Sequence, residues 1–295
     1  MRSGPFFGAG GNSDNFYAEG HKSSLDACEY LARLGLTAYE YECTHGVRLS
    51  DAFCAALGHS ARQLGIALSV HAPYYINLSS EDDTVRQKSL THITKALRAA
   101  DKMGAERVVF HPGTLGRQSR EAALERAAAM LEEIVSEVRR EGLLDNVYLC
   151  PETMGKKNLL GTLPEVLRLC EVDVRVRPTI DFAHIHALTG GGLRGRQDFV
   201  RILDAIDAAL GEDALQRLHV HFSPIEYTAA GEKKHRTLCD KEYGPDFELL
   251  AELIAENGWQ PTIICESAGT QDEDAVVFRN IYDRCYHMWR QQSNI

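Results

Sequence analysis

Along this 295-residue chain, short apolar runs rich in β-branched and aromatic residues alternate with longer stretches of helical spacing. The first four runs are "PFFGAG" (5–10), "AYEYEC" (38–43), "ALSVHAP" (67–73) and "RVVFHPG" (107–113). Four more follow: "NVYLCPETM" (146–154), "VRPTIDFAHI" (176–185), "RLHVHFS" (217–223) and "PTIICESA" (261–268). Each has the length and composition of a strand. Between them, Ala27, Cys28, Leu31 and Leu34 recur on one helical face. Leu124, Ala128, Leu131, Val135 and Val138 form a second stripe, and Phe199, Ile202, Ile206 and Leu210 a third. "PDFELLAELIAENGW" and "DEDAVVFRNIYDRCYHMW" read as two further helices. Strands alternating with helices imply parallel pairing through right-handed crossovers. Eight such units close into a (β/α)8 TIM barrel, an α/β fold whose functional residues gather at the C-terminal ends of the strands. An open doubly wound sheet is the alternative, but no Gly-x-Gly-x-x-Gly follows the first strand to support it. No linker or low-complexity tract interrupts the pattern, so residues 1–295 read as a single domain.

Composition changes this picture little. The chain is 44% hydrophobic and 25% charged, with a formal net charge of −10, so no general basic field advertises nucleic-acid binding. An excess of acid can be offset locally by bound cations. The eight cysteines are scattered without a Cys-x-x-Cys pair, as expected of reduced thiols used as small core residues. No stretch has the length of a signal peptide or approaches the roughly 18 apolar residues of a membrane span. The expectation is a cytoplasmic protein with no membrane partner.

The strand ends carry most of the chemistry. His71 closes the third run, His111 the fourth and Glu152 the fifth. Asp181 and His184 fall at the end of the sixth, His219 and His221 in the seventh, and Glu266 at the end of the eighth; His235 lies in the loop after the seventh. A single histidine or carboxylate at such a place is most often a hydrogen-bonding residue, a salt-bridge partner or a helix cap. Six strands in succession delivering one to the same rim point instead to metal ligation. Mixed His/Asp/Glu ligands without thiolate suit Zn²⁺, Mn²⁺ or Fe²⁺. A carboxylate among them can offer one oxygen to each of two ions, and a pair of ions roughly 3.5–4 Å apart stabilises the attacking and leaving oxygens of an in-line displacement at phosphorus. The same residue types can equally hold one ion that polarises a sugar carbonyl for isomerisation or epimerisation. Composition does not separate the two, and a barrel that binds metal without catalysis is a third option.

The motifs "VHAPYYINL", "FHPGT", "PETMGKKNLLGTLPEV", "IDFAHIHA", "HFS" and "ICES" resemble, in order and approximate spacing, those of the endonuclease IV family. That family comprises zinc-dependent apurinic/apyrimidinic endonucleases within the xylose-isomerase-like TIM-barrel superfamily. The likeness runs from about residue 67 to 270, and this chain resembles a divergent branch that lacks a histidine on the first strand. The resemblance implies that His71 and His111 hold one zinc and that Glu152 bridges to a second. Asp181, Glu266 and a histidine of the seventh strand complete the second site; His221 is preferred because it lies nearest the strand's end, with His219 deeper. It further implies a third zinc on His184, His235 and an intervening aspartate. That position falls on Lys233, which cannot coordinate while protonated, and Glu232 is the nearest carboxylate. Two zincs are therefore expected, with a third bound weakly or not at all. Tyr74 and Tyr75 stand where the family inserts side chains into DNA, and aromatic rings stack where a base is missing; packing of Tyr75 on its own protein is the competing reading. The implied activity is hydrolysis of abasic DNA, with Glu152 orienting the water, and the implied partner is damaged double-stranded DNA, engaged by a monomer.

Overall fold

The computed structural model describes residues 4–44 and 46–293. Eight strands coincide with the eight apolar runs: β1 (Phe6–Gly10), β2 (Ala38–Glu42), β3 (Ala67–His71), β4 (Arg107–Phe110), β5 (Tyr148–Pro151), β6 (Thr179–Asp181), β7 (His219–Phe222) and β8 (Thr262–Cys265). All pair in parallel, in the order β5-β4-β3-β2-β1-β8-β7-β6. Single bridges from Leu149 to Val176 and from Glu152 to Thr179 join β5 to β6 and close the barrel. Every residue of β6, β7 and β8 is buried, as a sheet with helices outside and side chains filling its lumen requires. Alternation then sends Val220 and Phe222 outward to the helices and His219 and His221 into the lumen. Phe222 packs outside against Phe247 and Phe278, with ring centroids 5.0 and 5.4 Å away.

The connecting helices begin and end on local signals. Ser50, Asp82 and Ser119 each accept a hydrogen bond from a backbone N–H in the first turn of the helix they cap: Asp51–Leu64, Asp83–Met103 and Arg120–Arg140. Gly65 and Gly104 end the first two in the left-handed conformation. In Arg120–Arg140 the buried stripe includes Leu131, Val135 and Val138 as expected, but also Ala123, Ala127, Met130 and Ile134, so Leu124 and Ala128 sit at its edge. Phe199, Ile202 and Ile206 are buried as the spacing implies. Among the described residues, no helix is long and apolar enough to cross a membrane. Seven of the eight cysteines are buried, with Cys239 exposed.

Two details of the rim differ from the reading of the sequence. The sixth strand stops at Asp181, and His184 lies in a short helix, Phe182–Leu188. The chain turns there because the Asp181 side chain caps that helix, Oδ1 accepting from the His184 N–H at 2.7 Å. The segment after β7 is no irregular loop: Ile225–Thr228 and Gly231–His235 form an antiparallel hairpin. Ile225 and Tyr227 seat it on Ala183 and Ala187 of the short helix.

Candidate metal centre

A cavity of about 730 Å³ opens at the C-terminal end of the barrel. The parallel register places the sequence-predicted residues around its floor. His71 is the last residue of β3, and His111 and Glu152 follow closely on β4 and β5. Asp181 ends β6, His221 lies within β7, and Glu266 directly follows β8.

Glu152 stands between two groups of ligand atoms. Its Oε2 lies 3.1 Å from His71 Nε2 and 3.2 Å from His111 Nε2. Its Oε1 lies 3.4 Å from His221 Nδ1, which is itself 3.1 Å from Glu266 Oε1. Ligand atoms of His71, His111 and Glu152 gather within 4.8 Å of one another, and so do those of Glu152, Asp181, His221 and Glu266. Atoms about 2.0–2.2 Å from a common zinc are separated by roughly 3.3–3.5 Å in a tetrahedral site, close to these spacings. Hydrogen bonding on the far side of the rings agrees. His71 Nδ1 donates to the Ala72 carbonyl at 2.8 Å and His184 Nδ1 to the Thr153 carbonyl at 2.9 Å, so each ring turns its Nε2 toward the cavity, His71 Nε2 to Glu152 Oε2 and His184 Nε2 to Glu232 Oε2. Glu152 Oε1, Asp181 Oδ2 and His221 Nδ1 are buried without a hydrogen-bond partner. Orphaned buried polar atoms are costly, and a divalent cation would satisfy all three. The donor set therefore fits a divalent metal.

Without a cation, protons do part of its work. Burial opposes charge on His71, yet Glu42 and then Glu152 outweigh it and lift the imidazole to about 10. His221 and His184 also stay well above the ordinary histidine value against burial, His221 through Glu266 and Glu40, His184 through Asp181 and Glu152. Burial raises Glu266, but the His221 charge more than offsets this and draws its carboxyl down to about 2. Burial dominates at Asp181 and at Glu42, and both carboxyls rise to about 8. Glu42, like Glu40, escaped the reading of the sequence. The signal was present in "AYEYE": strand alternation puts both glutamates on the lumen face, opposite the tyrosines.

Asp181, His184 and His235 bring ligand atoms together in a third group. The hairpin decides what joins them. Glu226 pairs with Lys234 and Tyr227 with Glu232, leaving Lys233 as the extra residue of a β-bulge. In a regular strand, positions 232 and 235 would face opposite sides. The bulge puts both on the cavity side, with Glu232 Oε2 3.4 Å from His184 Nε2, while Lys233 points outward to Glu226 Oε1 at 2.5 Å. The bulge thus turns Glu232, and not Lys233, toward His184. Two glycines permit this approach: a Cβ on Gly155 would lie 2.8 Å from Glu232 Cβ, and one on Gly231, at φ +102°, 2.2 Å from the Gly155 carbonyl oxygen. At the cavity mouth, Tyr74 and Tyr75 are exposed, their rings edge-to-face at 5.5 Å. Tyr75 also packs on His92 at 5.0 Å, whereas Tyr74 lines the cavity.

Residues 28–280 match the family model of the xylose isomerase-like TIM barrel. The chain belongs to this family. It is 31% identical to an uncharacterized protein of Methanocaldococcus jannaschii, MJ0133, over 89% of this chain and 93% of that one. It is also 28% identical to a probable endonuclease 4 of Mycoplasma pneumoniae over 63% of each chain. Among solved structures, endonuclease IV from Thermus thermophilus superposes with a TM-score of 0.71 at 23% identity, covering 95% of this chain and all of that one. A D-tagatose 3-epimerase-like protein superposes with a TM-score of 0.70 at 21% identity, over 98% and 99% of the two chains. Nuclease and epimerase neighbours thus share this family's barrel, and the likeness at these identities is one of fold.

Proposed function

We propose that this protein is a metal-dependent phosphodiesterase of the endonuclease IV type, acting on abasic sites in double-stranded DNA. The observation that carries the reading is the position of Glu152, whose two oxygens face two different histidine sets. A single carbonyl-polarising ion is served by Glu152, Asp181, His221 and Glu266 alone. His71 and His111 sharing the same carboxylate are what a second ion needs. Bound there, a pair of divalent ions, zinc by the family resemblance, would supply Lewis acidity to both oxygens of an in-line displacement at phosphorus. The protein's own part is to hold that geometry and to orient water through Glu152. Relatives named as endonuclease 4 point the same way.

The cavity's side chains suit divalent cations. Its described lining residues include Glu42, Glu152, Glu232 and Glu266 together with His71, His111, His184, His235 and Lys156. Divalent cations taking the place of the protons on His71 and His184 would add the positive field that a phosphodiester needs. The test is elemental analysis of the purified protein, followed by cleavage assays on a duplex with one abasic site and on an intact duplex. Two or more ions per chain, with cleavage confined to the abasic strand and lost in Glu152→Gln while the fold persists, is the expected result. A single ion with turnover of ketose sugars and no cleavage assigns the epimerase reading instead.

A further inference from the structure

Beneath the rim, the lumen holds a buried polar cluster for which the two-ion reading has no use so far. Glu40, in the middle of β2, is fully inaccessible to solvent. Its Oε2 accepts a hydrogen bond from Ser69 Oγ at 2.7 Å and pairs with His219 Nε2 at 2.8 Å. Its Oε1 lies 2.9 Å from His221 Nε2. Neither of those last two atoms has a hydrogen-bond partner among the described residues, so they face each other as a close ion-pair contact. A proton on His221 Nε2 directed at Glu40 Oε1 would satisfy both in a dry interior, where an unpaired carboxylate oxygen is expensive. The opposite edge of the same His221 ring presents Nδ1 to Glu152 and Glu266.

We propose that Glu40 is a positioning residue for the ion held by Glu152, Asp181, His221 and Glu266: it takes the Nε2–H of His221 and so fixes the tautomer whose Nδ1 lone pair faces that ion. This rests on the metal reading above. A neutral imidazole carries one N–H. With the proton on Nδ1, the ring would aim a hydrogen at the cation and a lone pair at the Glu40 carboxylate, which is unfavourable at both edges. With the proton on Nε2, both edges are satisfied, and the adjoining carboxylate makes the ring a better donor to metal. Ser69 and His219 hold the other oxygen, so Glu40 is anchored below the ion. The rival arrangement is an ion among Glu40, His219 and His221 themselves. Their separations of 2.8 and 2.9 Å fall within hydrogen-bonding distance, shorter than the roughly 3.3–3.5 Å between ligand atoms around tetrahedral zinc.

The test titrates metal-free protein with Co²⁺, whose visible absorption reports its ligand set, in the wild type, Glu40→Gln and Glu40→Leu. Glutamine keeps an acceptor for His221 and loses the charge; leucine removes both. The expected result is unchanged stoichiometry in Glu40→Gln, with one ion bound about 10–100-fold more weakly and its absorption band shifted. Glu40→Leu should weaken the same ion further. Should Glu40→Leu fail to fold, Glu40→Gln carries the test alone. Wild-type affinity and spectrum in Glu40→Gln would overturn the proposal, and so would outright loss of one ion in that variant, which would make Glu40 a ligand. Absence of Co²⁺ binding by the wild type would instead overturn the metal reading and this inference with it.

Discussion

At Glu152, one carboxylate meets two sets of imidazoles because the ends of β3, β4, β5 and β7 converge on a single axis. Its neighbours explain why charge, rather than volume, matters at the site. Each of His71, His184 and His221 is kept protonatable by adjoining carboxylates, so a cation must displace protons in order to bind. The sign follows from His71. Its value is raised from 6.5 to about 10, so the stability it lends the metal-free fold is complete below about pH 6.5 and is lost as pH rises through about 10. Asp181 and Glu42, raised to about 8, act in the same direction, since ionising them on the way up leaves buried charge. Glu266, lowered to about 2, loses its contribution only in acid, as pH falls from its ordinary value of 4.5. The melting temperature of metal-free protein should therefore fall between about pH 6.5 and 10, the window set by His71, while the gap between metal-loaded and metal-free protein widens. Calorimetric scans of both forms across that range check this; a gap that narrows as pH rises would contradict it.

The hairpin and the tyrosine loop make their own predictions at the scale of elements. Because Lys233 is the bulge residue and faces Glu226, Lys233→Asp should leave metal content unchanged. Deleting Lys233 should restore regular pairing and turn either Glu232 or His235 away from the cavity, lowering occupancy of the third group without disturbing the other two. Elemental analysis of the two variants distinguishes these effects. In the loop after β3, Tyr74→Ala should weaken binding to an abasic duplex by about 1–3 kcal/mol, the worth of one stacked base. It should leave hydrolysis of a small phosphodiester nearly unchanged. Tyr75→Ala should in addition lower thermal stability, because that ring packs on His92. Equal losses on both substrates for Tyr74→Ala would place that tyrosine in support of the metal site instead. The sequence left open whether Tyr75 packs on its own protein; the different surroundings of the two tyrosines depend on the helix Asp83–Met103, which carries His92.

For the molecule as a whole, the alternation of eight apolar runs with helical stretches sufficed to give the barrel and its strand order, because pairing neighbours in parallel through right-handed crossovers leaves few other topologies. Strand ends bearing His71, His111, Glu152, Asp181 and Glu266 were legible for the same reason: the period of a strand and the polarity of a parallel barrel fix which end, and which face, a residue occupies. On β7, His221 lies beside Glu152 and Glu266, and His219, deeper, meets Glu40. Contacts across the lumen lay beyond such reasoning. Glu40 meets His219 from 179 residues away in sequence, and His221 from further still, a meeting set by the radius of the closed barrel and the stagger of its strands. Likewise, a single extra residue in the hairpin reverses which side chains face the cavity, and no local pattern marks Lys233 as that residue. What the sequence determined by itself was periodic: which segments form the barrel strands, which faces they turn inward, and which side chains stand at their ends. What only the tertiary structure decided was aperiodic, namely the partners of Glu40, the turn into the short helix at Asp181, and the bulge that exchanges Lys233 for Glu232. These depend on long-range packing and on the satisfaction of buried polar atoms, which no local window of residues contains.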